Sequence, residues 1–227
     1  MVSREPQYAD HFDFMQTSGQ AKLGVNVNFT WFLDPKRLTF TLSRYKFVAK
    51  MLQGRESVAE LGCGDAFASR IVAQTVDHLT ATDFDPLFIE EASKSKPQYE
   101  EKISFLVHDI LSGPIPGEKF DAVYSCDVLE HISKTKEDIF FSNSIRSLKA
   151  NGVFIIGTPS LSSQVYASQR SIEGHVNCKT GEELIECCRR HFENVFLFGM
   201  NDEVLHTGHF EMCHYYFALC VNPKKGV

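Results

Sequence analysis

The stretch VAELGCGDAFASRIV, residues 58–72, decides how the rest of the chain is read. An apolar run with the character of a buried strand ends at Glu60. The backbone turns at Gly62 and Gly64, and a helical pattern follows over 66–75. Glycines at a strand-to-helix turn let the backbone bend tightly and approach a ligand closely. A dinucleotide-binding turn carries three glycines and aims a helix N-terminus at a pyrophosphate. Here Ala66 stands where a third glycine might, and Glu60 and Asp65 flank the turn. Negative side chains repel a pyrophosphate and favour an ammonium or a sulfonium.

Outward from this turn, short apolar runs alternate with helical patterns. SVAELG, LTATDFD, ISFLVHD, FDAVYSCD and GVFIIGTP read as five strands. Pro86 opens one intervening helix. Residues 135–149 form another, for which Asn151 and Gly152 supply a stop. Upstream, Asp34 as N-cap and Pro35 at the first helical position start a helix that carries Leu38, Leu42, Tyr45, Val48 and Leu52 on one side and ends at Gly54. Downstream, Thr180 and Glu183 make a capping box for EELIECCRRHF. NVFLFGM and CHYYFALCV, joined by a loop over 201–212, read as an antiparallel strand pair at a sheet edge. The pattern predicts an α/β fold. It has a Rossmann-like, seven-stranded, mostly parallel sheet, helices on both faces and a C-terminal antiparallel hairpin. Ligands of such sheets bind beyond the carboxyl ends of the strands, where strand order reverses.

Acids occupy those ends. Glu60 lies at the tip of the first strand, Asp83 at the second, Asp109 at the third, and Asp127 with Glu130 and His131 at the fourth. An acid about 20 residues past the glycine turn is placed to accept hydrogen bonds from ribose hydroxyls. As a set, VAELGCGDA, LTATDFDP, VHDIL, FDAVYSCDVLEHI and GVFIIGTPS resemble the class I S-adenosylmethionine-dependent methyltransferases. The resemblance is to the small-molecule branch, similar to the ubiquinone-biosynthesis O-methyltransferases.

It implies S-adenosyl-L-methionine as cofactor and S-adenosyl-L-homocysteine as product. Glu60, with Gly62, Cys63 and Gly64, would hold the methionine portion. Asp83 would bind the ribose, with Phe84 against the adenine; Asp109 and Ile110 would contact the adenine; Cys126 or Asp127 would line the methionine end. His175, after the fifth strand, is the first candidate for acceptor contact or base, and His131 the second. The expected reaction is in-line methyl transfer to a small polar acceptor, with a hydroxyl on a sugar or another metabolite favoured. Nicotinamide-dependent oxidoreductases on a related sheet are an alternative, which Glu60 and the missing third glycine weigh against. A non-catalytic nucleoside-binding scaffold is another, which the acids at the strand tips weigh against.

The chain has 227 residues and a net charge of -6, with basic residues scattered. That fits one domain and no nucleic-acid partner. Residues 1–53 are an arm and helix that would serve as a lid, 54–160 the cofactor-binding core, and 161–227 an acceptor-side insert with the terminal hairpin. No apolar run suffices to span a membrane, and a cytoplasmic location is expected. Seven cysteines in no C-x-x-C pair argue against disulfides or a cysteine zinc site. His206, His209 and His214 match no metal motif, so no metal site is expected. The oligomeric state is left open.

Overall fold

A computed structural model describes residues 4–94 and 102–224. Three helices, α1 (Ala9–Ser18), α2 (Val25–Leu33) and α3 (Lys36–Met51), precede an alternating core of β1 (Ser57–Leu61), α4 (Ser69–Ala73), β2 (His78–Asp83), α5 (Pro86–Lys94), β3 (Ile103–Val107) and β4 (Phe120–Cys126). The chain continues through α6 (Glu137–Arg146), β5 (Leu148–Pro159), α7 (Gln169–Gly174), α8 (Gly181–Arg189), β6 (Phe192–Asn201), β7 (Val204–His206) and β8 (Tyr215–Pro223). The strand order is β3-β2-β1-β4-β5-β8-β6-β7. The first five strands are parallel, while β8 pairs antiparallel with both β5 and β6. Strand order reverses between β1 and β4, so their carboxyl ends frame the expected crevice.

Period-two alternation sorts the strands between two cores. Val58 packs with Tyr45 and Val48 of α3, with Leu52 just after it, and with Val72 and Ile89, on one face. Ala59 and Leu61 pack with Phe140, Phe141 and Ile145 of α6 and Leu184 of α8 on the other. Among the described residues, no helix is long and apolar enough to cross a membrane.

The sheet has eight strands, not seven. The extra one, Val204–His206, pairs only with Gly199–Asn201 and is too short to show a period in the sequence. It lies in the segment expected to be a loop over 201–212. The helix expected over 66–75 begins at Ser69, because Ala66 has φ 52, a left-handed conformation that no α-helix contains. The expected stop at Asn151 and Gly152 is overturned as well: both lie inside β5, where the register jumps from Phe120↔Leu148 to Ala122↔Val153. The extra residues bulge out of the ladder, which is where asparagine and glycine are tolerated. The side chain of Asp34 caps nothing; α3 follows Pro35, which stands at the N-cap position itself. Residues 1–34, irregular in sequence, contain α1 and α2. The capping box at Thr180 and Glu183 is present as expected.

Candidate active site

The glycine turn is tied to β2 by its own amides. Gly62 N and Cys63 N donate to the Thr82 carbonyl at 2.8 and 2.9 Å, and Gly64 N donates to Asp83 Oδ2 at 2.9 Å. Three successive N–H groups that could cradle a phosphate are therefore spent inside the protein. Gly62 and Gly64 have φ 74 and 53, and a side chain on Gly62 would collide with Val128. Above the turn lies a cleft of about 600 Å³. Gly62, Gly64, Asp83, Phe84, Asp109, Ile110, Asp127 and His131 all line it, so eight of the expected residues, from four separate strand tips, converge on one cavity.

Asp83 is 6 % exposed, and its second oxygen accepts from Asp85 N at 2.9 Å, which fixes the carboxylate at the cleft wall. Phe84 projects into solvent at the cleft edge, 72 % exposed, with Phe88 beside it on the lining. Asp109 Oδ1 accepts from Leu111 N at 2.9 Å, a local turn that holds the loop after β3 open toward the cavity. Ile110 is buried, and its carbonyl accepts from Asn143 Nδ2 at 2.7 Å.

The other expected cofactor residues lie elsewhere. Cys63 and Cys126 are buried in the core, and burial raises both thiols. Neither lines the cleft, because strand alternation turns Cys126 toward α3 while its neighbour Asp127 faces the cavity. The Glu60 side chain also lies below the cleft, fully buried on the α3 face. Its Oε1 accepts from Tyr45 OH at 2.8 Å. Oε2 and the facing hydroxyls of Ser69 and Tyr124 have no well-formed hydrogen bond. Burial pushes its carboxyl up to about 7, opposed by the hydroxyls that face it, Ser69, Tyr45 and Tyr124. Asp65, which flanks the turn in sequence, is buried: Oδ2 accepts from Asn26 N and Val27 N at 2.8 and 3.0 Å, holding the start of α2. Asn26 consequently sits on the cleft wall, with its Nδ2 against Gly64.

Arg44 stands between the apolar positions of α3. Its Nη1 donates to both oxygens of Asp127, at 3.0 and 2.8 Å, and its guanidinium stacks 3.7 Å over Tyr215. Asp127 has φ 59, so the chain reverses there and presents the carboxylate to α3 as well as to the cleft. Because Arg44 and Asp127 are 83 residues apart, no local pattern in the sequence pairs them.

His131 lines the cleft and His175 does not; the second ring stands edge-on behind the first at 5.1 Å. His131 Nδ1 lies 2.9 Å from the Gly174 carbonyl, and His175 Nδ1 lies 2.8 Å from Gln164 Oε1. In the neutral ring each carbonyl selects the tautomer with the N–H on Nδ1 and the lone pair on Nε2. Glu130 is 1 % exposed; Oε2 accepts from Thr158, and Oε1 has no partner but lies 4.0 Å from His131 Nε2. Burial, then Asp127, push its carboxyl up to about 8, and burial lowers His175. Glu130, His131 and His175 each offer a ligand atom, and the three lie within 4.8 Å of one another. They form a two-histidine, one-carboxylate group in which His175 of the later segment joins the adjacent pair Glu130 and His131. Of the other histidines, His206 is absorbed by Asn201 Oδ1 and Gly208 N, and exposed His209 faces Glu211. His214 packs beside Phe40.

Residues 59–156 match the family described as Methyltransferase domain. Over this segment the chain is similar to S-adenosylmethionine-dependent methyltransferases. It is 25% identical over 115 residues to a probable S-adenosylmethionine-dependent methyltransferase of Mycolicibacterium smegmatis, covering 51% of this chain and 42% of that one. It is 25% identical over 124 residues to the mitochondrial ubiquinone biosynthesis O-methyltransferase of Schizosaccharomyces pombe, covering 51% and 44%. The chain thus spans less than half the length of these relatives. Its fold is similar to that of the N-methyltransferase NodS from Bradyrhizobium japonicum in complex with S-adenosyl-L-homocysteine. The TM-score is 0.60 at 19% identity, over 86% of this chain and 92% of that one. The family match excludes α1–α3 and everything after β5.

Proposed function

We propose that the cleft binds S-adenosyl-L-methionine and that the protein transfers its methyl group to a small polar acceptor, with a hydroxyl as the favoured nucleophile. The observation that carries this reading is the inward-turned glycine loop below a cleft with Asp83, Asp109 and Asp127 on its wall. Such a site suits a nucleoside with a zwitterionic, sulfonium-bearing tail and repels a pyrophosphate. Asp83 accepts from the ribose hydroxyls, Phe84 covers the adenine, and Asp109 takes its amino group. The Arg44–Asp127 pair offers a cation to the amino-acid carboxylate and an anion to its ammonium. Glu60 supports the loop from beneath rather than touching the ligand.

In the transfer, an acceptor oxygen lone pair forms the C–O bond as the C–S bond breaks. The C–S electron pair returns to sulfur, which leaves as neutral S-adenosyl-L-homocysteine. The protein's part is to align the acceptor with the methyl carbon and to exclude water. His131 Nε2, unprotonated and on the cleft wall, accepts the hydroxyl proton. His175 orients it from behind.

A second reading of the same three side chains rests on the orphaned Glu130 Oε1 and on two imidazoles whose other nitrogens are already held by carbonyls. A carbonyl holding the far ring nitrogen is the usual setting of a metal-bound histidine. Glu130, His131 and His175 would hold a divalent cation through one ligand atom each. When bound, the cation would lower the pKa of an acceptor hydroxyl.

Calorimetry with S-adenosyl-L-homocysteine and NADH tests the cofactor reading, and a screen of acceptors for S-adenosyl-L-homocysteine release tests the reaction. Exhaustive chelation separates the two roles of the triad. Turnover that survives it assigns the proton to His131 directly, and turnover restored only by a divalent cation assigns the triad to the metal.

A further inference from the structure

We infer that the arm is part of the cofactor site: the Asn26 amide binds the amino-acid tail of the cofactor, and Asp65 links filling of the cleft to attachment of α2. The inference rests on the methyltransferase reading and assigns a residue of that same cleft that lies outside the family match. Helix α2 has no side-chain cap of its own. Gly24 stands at its N-cap position, and Val27 is its one buried residue. The first amides are satisfied by Asp65 Oδ2, which accepts from Asn26 N and Val27 N at 2.8 and 3.0 Å. A Cβ on Gly24 would collide with the Asp65 side chain, so the chain enters α2 in direct contact with the glycine turn. Asp65 follows Gly64 in sequence, and its Oδ1 accepts from Phe67 N at 3.2 Å. One carboxylate thus ties the arm to the turn beneath the cleft.

That attachment sets Asn26 on the cleft wall, which Gly62, Gly64 and Asp127 also line. A Cβ on Gly64 would stand 2.9 Å from Asn26 Nδ2, so the amide lies over the turn rather than at the end lined by Phe84, Asp109 and Ile110. Asn26 is exposed, and its side chain makes no hydrogen bond among the described residues. The amides of Gly62, Cys63 and Gly64 are all spent on Thr82 and Asp83, so these three residues have no N–H left for the tail. Groups that hold the tail therefore come from outside the turn, and Asn26 brings one from the arm. A carboxamide is neutral and offers two donors and an acceptor, so it can meet a carboxylate with its N–H or an ammonium with its C=O. It complements the Arg44–Asp127 pair without adding charge. Linkage makes the effect reciprocal: the factor by which the docked arm raises cofactor affinity is the factor by which bound cofactor favours the docked arm. Asn26 is a binding residue in this scheme and does no chemistry.

The test compares two ligands on the whole protein: S-adenosyl-L-homocysteine, and methylthioadenosine, which keeps the adenine, ribose and sulfur but lacks the amino-acid tail. Affinities are measured by calorimetry, directly or by competition, for wild type and Asn26→Ala. The expected result is a loss of about tenfold or more for S-adenosyl-L-homocysteine in the variant, as for a hydrogen bond to a charged group, with methylthioadenosine affinity unchanged within about twofold. S-adenosyl-L-homocysteine should also slow limited proteolysis within residues 19–24 of the wild type, and protect Asn26→Ala less at equal saturation. Because the Asn26 side chain is exposed and unbonded, the variant should keep the wild-type urea midpoint, which checks that it folds. An unchanged affinity for S-adenosyl-L-homocysteine, an equal loss for both ligands, or cleavage that the ligand does not slow overturns the proposal. Wild-type binding of S-adenosyl-L-homocysteine shows that such a failure belongs to Asn26 and the arm. A wild type that binds neither ligand shows that the methyltransferase reading has failed instead.

Discussion

Single residues carry the chemistry, and Glu60 shows how far burial can redirect an acid. Its folded value of about 7 lies above the ordinary 4.5, so the folded protein binds this proton more tightly than the unfolded chain does. The corresponding stability is complete below pH 4.5 and falls between there and 7, by roughly 3 kcal/mol at most. Glu60→Gln should flatten the pH dependence of urea unfolding in that window and raise stability at pH 8; an unchanged profile would place the titration elsewhere. At the histidines, His131→Ala should lower turnover by about 100-fold or more, within the range of lost acid-base catalysis, with S-adenosyl-L-homocysteine affinity retained. His175→Ala should act in the same direction through the loss of its edge-on support. Full activity in either variant removes that residue from the mechanism. The acids of the strand tips were legible in the sequence because each ends an apolar run. Arg44 was not, because its partner is set by the α3 packing and by the left-handed backbone at Asp127. Nor was the convergence of Glu130 and His175, which depends on the insert after β5 folding back: Val176 N and Asn177 N both donate to the Glu130 carbonyl.

At the scale of elements, the segments that differ from expectation are those whose conformation is decided by tertiary contact. Helix α4 starts late because Ala66 is held left-handed, and β7 exists only because β6 offers it an edge. By contrast, the five parallel strands and α8 were legible, since buried apolar runs and a capping box are local signals. Helix α2 is the clearest case of an element with a distant anchor. Its first amides are satisfied by Asp65 rather than by a local N-cap side chain. Asp65→Ala should therefore weaken attachment of the arm by about 1–2 kcal/mol, the usual loss for a cap. Limited proteolysis should then cut faster within residues 19–24, while the core unfolds at nearly the same urea concentration. Cleavage at the wild-type rate would show that α2 is held by its apolar contacts instead.

At the scale of the molecule, the parallel part of the sheet frames the cleft, and the family match leaves out the arm before it and the segment after β5. The arm places Asn26 on the cleft wall, and the later segment places His175 behind His131. This division explains why cofactor chemistry was readable from spacing while acceptor chemistry required the fold. The measurement that tests the account most directly is calorimetric titration of the whole protein with S-adenosyl-L-homocysteine and with NADH, beside the Asp83→Ala variant. The account predicts binding of S-adenosyl-L-homocysteine alone, weakened by about tenfold or more in the variant as charged hydrogen bonds to the ribose are lost. Binding of NADH without S-adenosyl-L-homocysteine, or an affinity for the latter that Asp83→Ala leaves unchanged, would contradict it.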